Sequence, residues 1–453
     1  MTARSKEQTG SSPGVGPREA LEAARLGRAF AAYLFVPAAS QGAPAVALAS
    51  IGAGLRLAPG VGAWVLAGFA LAMAVGMPLF GRVSVRYGLQ SVVRISLVLF
   101  TVGGVLAGVA NGLALLIAGR MLQGAGTSAA FVSTYGTINV ALPSEQRPRA
   151  LASVAAAVSV ASGCGPLLGG TIDAFLGWRA VVALPVLAAF AAWPVQAAAP
   201  AGRSQGPFDA RGAALVSVIG ITLLLLIQSR ATALGPSVVL ATATVLAVCA
   251  IALVAHVKQR PDGFVPRDVI RAPGFVSTSS LAFTAFAAYF TLLFATPTLL
   301  RAVHGWNGPV VGLAMAPAAV VGAFVTRSFV ARHPSSGPSR HAVLALPLAG
   351  ITGLLLAAAA FHHPAALVVA LGSAMVGFTG TQVVLVAVVG TLVPAGDRPV
   401  AIGLFNFAAL AGGAIGPALA GALLAAVGPS ATFALLAVLP ALAAVLWRAR
   451  GTV

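Results

Sequence analysis

Apolar residues run along this chain in unbroken blocks, separated by short polar stretches. Fourteen blocks of 17 to 29 residues are legible, at 29–52, 61–80, 90–110, 113–141, 150–173, 178–198, 213–229, 236–257, 276–300, 308–326, 342–361, 365–393, 399–426 and 429–447. A helix crossing the hydrocarbon core of a bilayer needs roughly 20 apolar residues. Blocks of this length, apolar on every side rather than along one stripe, predict membrane-spanning helices. The expected architecture is an all-α integral membrane protein with fourteen spans.

Composition agrees. Only 8% of the 453 residues are charged and 59% are apolar, whereas a soluble globular protein is typically about 25% charged. So few charges could not coat a water-facing surface, which excludes a soluble enzyme. The net charge of +18 would point to nucleic acid in a soluble chain. Here the basic residues sit between apolar blocks. With both termini on one side, 22 of the 27 Lys and Arg residues fall on that side, four (Arg56, Arg179, Arg230 and Arg301) on the other, and Arg120 within a block. The positive-inside rule makes the richer side the cytosol. The expectation is a multi-pass protein of the inner (cytoplasmic) membrane with both ends cytosolic, bound to lipid rather than nucleic acid. Residues 1–28 are polar and carry no short apolar core with a cleavage site, so they read as a cytosolic tail. The two cysteines, Cys164 and Cys249, lie inside apolar blocks and have no metal-ligand spacing. No glycine loop with a lysine is present to cradle a nucleotide.

The chain also repeats itself. Gly165-Pro166-Leu167-Leu168-Gly169-Gly170 in block 5 returns as Gly416-Pro417-Ala418-Leu419-Ala420-Gly421 in block 13, 251 residues later. Six blocks occupy only residues 29–198, so the offset leaves room for an inserted pair, blocks 7 and 8, between two six-helix halves. The expected domains are a tail (1–28), an N-terminal six-helix bundle (29–200), a linker with the inserted pair (201–275), a C-terminal six-helix bundle (276–448) and a cytosolic end (449–453). Two related halves around a midplane site are the layout of a secondary transporter.

At these residues the sequence resembles the major facilitator superfamily, and within it the fourteen-helix drug:proton antiporters, multidrug and antibiotic exporters with such a central pair. Three motifs carry the likeness. Between blocks 2 and 3, Gly81-Arg82-Val83-Ser84-Val85-Arg86-Tyr87-Gly88 is similar to the family's cytosolic-gate motif. It keeps Gly81, Arg86 and Gly88, but Val85 stands at the aspartate position and Leu89 at a later basic position. In block 4, Arg120-Met121-Leu122-Gln123-Gly124-Ala125-Gly126 is similar to the family's helix 4 motif, whose arginine is linked to proton coupling. An arginine within a span costs at least roughly 2.5–3.5 kcal/mol on insertion scales, so it should face a cavity or a partner. In block 5, Gly163, Gly165, Pro166, Gly169 and Gly170 resemble the antiporter motif of exporters, with Ala161 at its leading glycine. Gly-Pro kinks and small residues suit a hinge or a seam between the halves; Gly416 and Pro417 are the matching positions.

Ionisable groups are otherwise sparse. Of nine acids, Glu7, Glu19, Glu22, Glu145, Asp209, Asp262, Asp268 and Asp397 fall on the cytosolic side, and Asp173 at the outer end of block 5. Related antiporters carry an aspartate in helix 1, where Ser40 stands here. Asp173 is the best remaining acid for proton coupling beside Arg120, unless it simply pairs with Arg179. His256, His333 and His341 fall at cytosolic ends and His304, His362 and His363 at outer ends; no metal site is expected. Polar or aromatic residues in apolar blocks need partners or water. Tyr33, Gln41, Gln123, Tyr135, Asn139, Tyr289, Gln382 and Asn406 are therefore the candidate cavity. It is uncharged apart from Arg120 and suits a neutral or anionic lipophilic cargo.

The resemblance implies a non-enzymatic exporter of a small molecule, a natural product or antibiotic, acting by alternating access as a monomer. It implies H⁺ as the coupling ion and no other cofactor. Three alternatives stand beside it: an uncoupled facilitator, a lipid or siderophore carrier of the same fold, and a membrane sensor or scaffold that transports nothing.

Overall fold

The fold is taken from a computed structural model, which describes residues 17–57, 63–143, 146–201, 209–227, 229, 235–261, 263–332, 340–394 and 397–450. Residues 1–16 of the expected tail, with Glu7, Glu145, Arg230, Asp262 and His333, lie outside the described residues. Fourteen long helical segments follow in order: α1 Pro17–Gly54, α2 Ala63–Tyr87, α3 Leu89–Gly108, α4 Leu113–Ala141, α5 Arg147–Leu176, α6 (Trp178–Ala183, Leu184–Leu187 and Ala188–Ala198), α7 Ala210–Ile227, α8 Pro236–Gln259, α9 Phe275–His304, α10 Gly308–Arg332, α11 Arg340–Ala360 and α12 (Pro364–Gly380, Thr381–Leu385 and Val386–Leu392). The last helix, Arg398–Arg450, is broken at Gly428 into α13 and α14. A short helix, Arg267–Arg271, joins α8 to α9. Among the described residues, nine helices are long and apolar enough to cross a membrane by length and composition. α4 is not one of them despite its 29 residues. Its inward face carries Arg120, Gln123, Thr127, Ser128, Ser133, Thr134 and Thr137, all buried. If each of the fourteen segments crosses once, the start of α1 and the end of α14 share one face, called the terminal face below.

Two boundaries differ from expectation. Residues 17–28, read as tail, are the first turns of α1. Ala23 and Phe30 are buried there and Gly27 packs on the backbone of Ala150 in α5, while Leu21, Glu22, Arg25 and Arg28 are exposed. The segment is amphipathic and extends the span with a stripe facing α5, so its charges did not exclude it from the bundle. α6 is also not one regular helix. Pro185 sits in a tightened turn at its middle, where the missing N–H interrupts the ladder.

The repeat is visible in the backbone. Gly177, between α5 and α6, has φ 77° and ψ 167°; Gly428, between α13 and α14, has φ 77° and ψ 172°. They are 251 residues apart, the same offset as the Gly-Pro motif. This left-handed, extended backbone is open to glycine and closed to other residues. The motif glycines do matching work. A side-chain carbon on Gly165 would stand 2.6 Å from the Ala39 carbonyl oxygen of α1, and one on Gly169 would overlap the Ala43 carbonyl. In the second half, carbons on Gly412 and Gly416 would overlap the carbonyls of Phe283 and Ala287 in α9. The glycine seams therefore close α1 on α5 and α9 on α13, inside each half. Gly165 and Gly169 thus serve a seam inside the first half, while Leu167 of the same motif faces the second half; the small residues remove the side chains that would hold these helix backbones apart.

The halves meet through other contacts. Gly403 of α13 lies against Pro78 of α2, and Gly312 of α10 against Leu167 of α5. The inserted pair sits outside the twelve. α8 has the highest mean hydropathy of the candidate spans, 2.7, and none of its residues is buried. Its apolar side chains Leu240, Val248 and Ile251 face outward, as a lipid-facing helix requires.

Candidate functional site

Arg120 is fully buried in α4, about two turns from its start. Its Nε donates to the Val65 carbonyl at 3.3 Å, Nη1 to Gln123 Oε1 at 2.7 Å, and Nη2 to the Ser40 carbonyl at 3.1 Å. The guanidinium lies over the Phe69 ring, 4.3 Å from its centroid. Gln123 in turn donates to the carbonyls of Gly103, at 3.1 Å, and Val182, at 2.7 Å. One arginine and one glutamine thus tie α4 to α1, α2, α3 and α6. The sequence expectation that Arg120 faces a partner holds in this sense, but its partners are carbonyls and an aromatic face inside the first half. Ser40, the residue at the aspartate position of related antiporters, is itself a neighbour of Arg120. Its hydroxyl turns back to the Val36 carbonyl at 2.9 Å.

The cavity candidates divide by position. Tyr33, with Gln123, belongs to the interior of the first half, where the Tyr33 hydroxyl hydrogen-bonds Ser96. Asn139 and Asn406 donate to carbonyls four residues back on their own helices, Tyr135 at 2.8 Å and Ile402 at 2.9 Å. Gln41 is half-buried on α1. Two candidates from opposite halves meet: the Tyr135 hydroxyl donates to Gln382 Oε1 at 3.3 Å, with Gln382 in the wide turn that interrupts α12.

Tyr289 lies where the two halves meet. It lines a void with Gly163 of α5 and Leu293, Met315, Ala318, Leu371 and Met375 of the second half. The void has a volume of about 10 Å³, space for a single water; a drug-sized ligand fills roughly 300–1,000 Å³. This void is therefore too small for a cargo of that size. Tyr289 stacks on Phe378 with centroids 4.4 Å apart, and Phe286 and Phe290 complete an aromatic cluster. The Tyr289 hydroxyl is buried with no hydrogen-bond partner among the described residues. Phe378, Met315, Met375 and Gly163 were not singled out from the sequence as cavity residues. The spacing of Phe283, Phe286 and Phe290 on one helical face was a signal that could have pointed to the cluster.

Asp173 is half-buried near the end of α5, away from Arg120's knot, and accepts a hydrogen bond from the Ser50 hydroxyl at 2.6 Å. Arg179 instead donates to the Ala110 carbonyl at 3.2 Å and stacks on Trp178. At the gate motif, Gly88 has φ 83° and separates α2 from α3, Gly81 accepts the Ser84 hydroxyl at 2.7 Å, and Arg86 is half-buried beside the Tyr87 ring. A second arginine of the motif makes a long-range contact. Arg82 donates to the carbonyls of Gly263 and Phe264, from the loop after α8.

The comparisons match this geometry. The family model described as Major Facilitator Superfamily matches residues 29–378 and 335–452. Multidrug resistance protein Stp of Mycobacterium tuberculosis (CDC 1551) is 28% identical over 376 residues, 80% of this chain and 68% of that protein. Multidrug export protein EmrB of Escherichia coli K12 is 28% identical over 287 residues, 61% of this chain and 55% of EmrB. The MFS-type transporter Rv1250 of M. tuberculosis is 34% identical over 179 residues, 40% of this chain and 30% of its own length. The chain thus spans only about a third to a half of Rv1250 and EmrB. Among solved structures, the proton:xylose symporter XylE shares the fold with a TM-score of 0.66 at 13% identity, covering 95% of this chain and 96% of XylE. The human organic anion transporter MFSD10 does so with a TM-score of 0.63 at 16% identity, covering 95% and 99%. Repeated six-helix halves and a family model spanning nearly the whole chain lead to one conclusion: this protein belongs to the Major Facilitator Superfamily, with multidrug exporters among the proteins it resembles.

Proposed function

We propose that the protein exports a lipophilic, neutral or anionic small molecule across the cytoplasmic membrane, both ends in the cytosol, by rocking its two halves about the void at Tyr289. The observation that carries the reading is the chemistry of that void. Its lining is one tyrosine, two methionines, leucines, alanine and glycine, with no carboxylate to recognise an organic cation. A buried, unpartnered phenol is costly to leave unpaired and suits a cargo that offers a hydrogen-bond acceptor. The names of EmrB and Stp support export of drug-like compounds. Proton antiport is the proposed coupling, with Arg120 and Asp173 as the groups that answer to protonation.

A second reading, an uncoupled facilitator, is favoured by a specific observation. Ser40 contacts Arg120 through its carbonyl, so no carboxylate accompanies the buried cation at the helix 1 position. Purified protein in proteoliposomes, offered a panel of neutral, anionic and cationic aromatic compounds with and without an imposed pH gradient, separates these readings. Gradient-driven movement of neutral or anionic members, weakened in Tyr289→Phe for acceptor-bearing compounds, is the expected result. Movement indifferent to the gradient supports the facilitator. Movement of cations alone, or of nothing, overturns the proposal.

A further inference from the structure

We propose that the inserted pair is a clasp across the seam between the two halves at the terminal face, and that Arg82 is the positioning residue that fastens it. This rests on the reading that the halves rock. α2 belongs to the first half and α13 to the second, and they touch where Gly403 meets Pro78. α7 lies along that seam and contacts both helices at three levels. Ile221 packs with Leu71 and Val75 of α2 and Ala414 of α13. Gly220 faces Val75 and Phe407. Ala213 and Val216 pack with Phe264 and Val265 against Leu79 of α2 and Leu404 of α13. α2 cannot part from α13 at this face without α7 losing one of them.

The end of the clasp is polar and held from two sides. The Phe264 carbonyl accepts from Arg82 Nε at 3.2 Å and Nη2 at 3.1 Å, and the Gly263 carbonyl accepts from the same Nη2. The Phe264 N–H donates to Asp209 Oδ2 at 2.8 Å. Asp209 also accepts the Gly212 N–H at 3.0 Å and pairs with His256 Nε2 at 2.8 Å, which joins the start of α7 to the end of α8. Burial pushes the Asp209 carboxyl upward, but these three donors outweigh it and hold it below its ordinary range. The Phe264 side chain is buried. The carboxylates of Asp397, at the start of α13, and Asp209 both attract Arg82. A single guanidinium on the first half is thus bonded to the linker and drawn toward the second half. Arg82, Asp209 and Phe264 are far apart in sequence, and the inserted pair acquires a task beyond spacing the halves.

The test reads access rather than transport. Cys164→Ala and Cys249→Ala remove the native thiols, and Ala213→Cys places a reporter beneath Phe264, where it is buried while the clasp is closed. A second reporter, Ala374→Cys, lies buried in α12 beside Gly353 of α11. In lipid nanodiscs, the rate of labelling by a charged, water-soluble maleimide is followed. Arg82→Gln and Asp209→Asn should each speed labelling of Ala213→Cys at least tenfold, Arg82→Lys should recover part of the slow rate, and Ala374→Cys should label equally slowly throughout. Rates for Ala213→Cys within twofold of the unmodified clasp overturn the inference, as does equal acceleration of Ala374→Cys, which would report general loosening. No cargo or gradient is involved, so failure of the export assay leaves this result standing, and failure here leaves export untouched.

Discussion

Replacing Arg120 by methionine takes a guanidinium out of the interior of the first half and leaves an uncharged side chain of similar reach. The native group makes three hydrogen bonds and lies on Phe69, but it does so fully buried and without a counter-ion among the described residues. Replacing a buried ion pair by well-packed apolar residues is often neutral or stabilising, by about 1–4 kcal/mol, because the desolvation cost is removed, and the same cost falls on a buried cation that has only neutral partners. Removing its partner is the opposite experiment. Gln123→Leu deletes a hydrogen bond to a charged group, about 1.5–3 kcal/mol, and two neutral ones to Gly103 and Val182, about 1 kcal/mol each. It also leaves the charge in place with fewer acceptors. Gln123→Leu should therefore destabilise by about 4 kcal/mol, whereas Arg120→Met should fold at least as well as the native chain. If Arg120 serves the transport cycle, Arg120→Met should still lose export. Thermal unfolding of both purified variants in detergent, beside export in proteoliposomes, decides the matter. Arg120→Met unfolding at a lower temperature than Gln123→Leu, or exporting at the native rate, refutes the reasoning.

Other outcomes follow from the same geometry. Asp173→Asn should shift the pH profile of export if this carboxylate, bonded to Ser50, takes the proton; an unchanged profile removes it from the cycle. Gly165→Val should destabilise by about 1–3 kcal/mol or more through overpacking against the Ala39 carbonyl, and Gly416→Val likewise against Ala287; thermal unfolding at native temperature for either contradicts the glycine seams. Asp209 is held ionised, so its contribution is present above the ordinary carboxylate pKa of about 3.9 and is lost as pH falls through its lower native value. Asp209→Asn should flatten the acid side of the stability profile measured between about pH 2 and pH 5, and an unchanged slope contradicts this.

The spans and the duplicated halves were legible because both depend on patterns local in sequence. An apolar block of bilayer length announces a helix, and a Gly-Pro motif recurring at a fixed offset announces a repeat, which Gly177 and Gly428 then confirm in the backbone. The reach of α1 back to Pro17 was hidden because charged residues on one face of an amphipathic helix look like tail when counted rather than placed. Arg120 and Gln123 were found because a polar group inside an apolar block is conspicuous. Their partners were not, since Val65, Gly103 and Val182 contribute backbone carbonyls that no side-chain pattern reveals. The same holds at the gate. Motif likeness drew attention to Arg86, while Arg82, four residues earlier, bonds carbonyls some 180 residues away. The glycines of α5 were read correctly as a place of close approach, but which helix approaches depends on tertiary arrangement.

The central claim is that the two halves rock, so that one face opens as the other closes. It is tested most directly by distances between paired spin labels on exposed positions, in a chain lacking the native cysteines: Tyr87→Cys with Arg398→Cys at the terminal face, and Phe175→Cys with Val310→Cys at the opposite face. Double electron–electron resonance should show one pair lengthening as the other shortens when the pH gradient or a transported compound is supplied. Two pairs that stay fixed, or that lengthen together, would contradict the account.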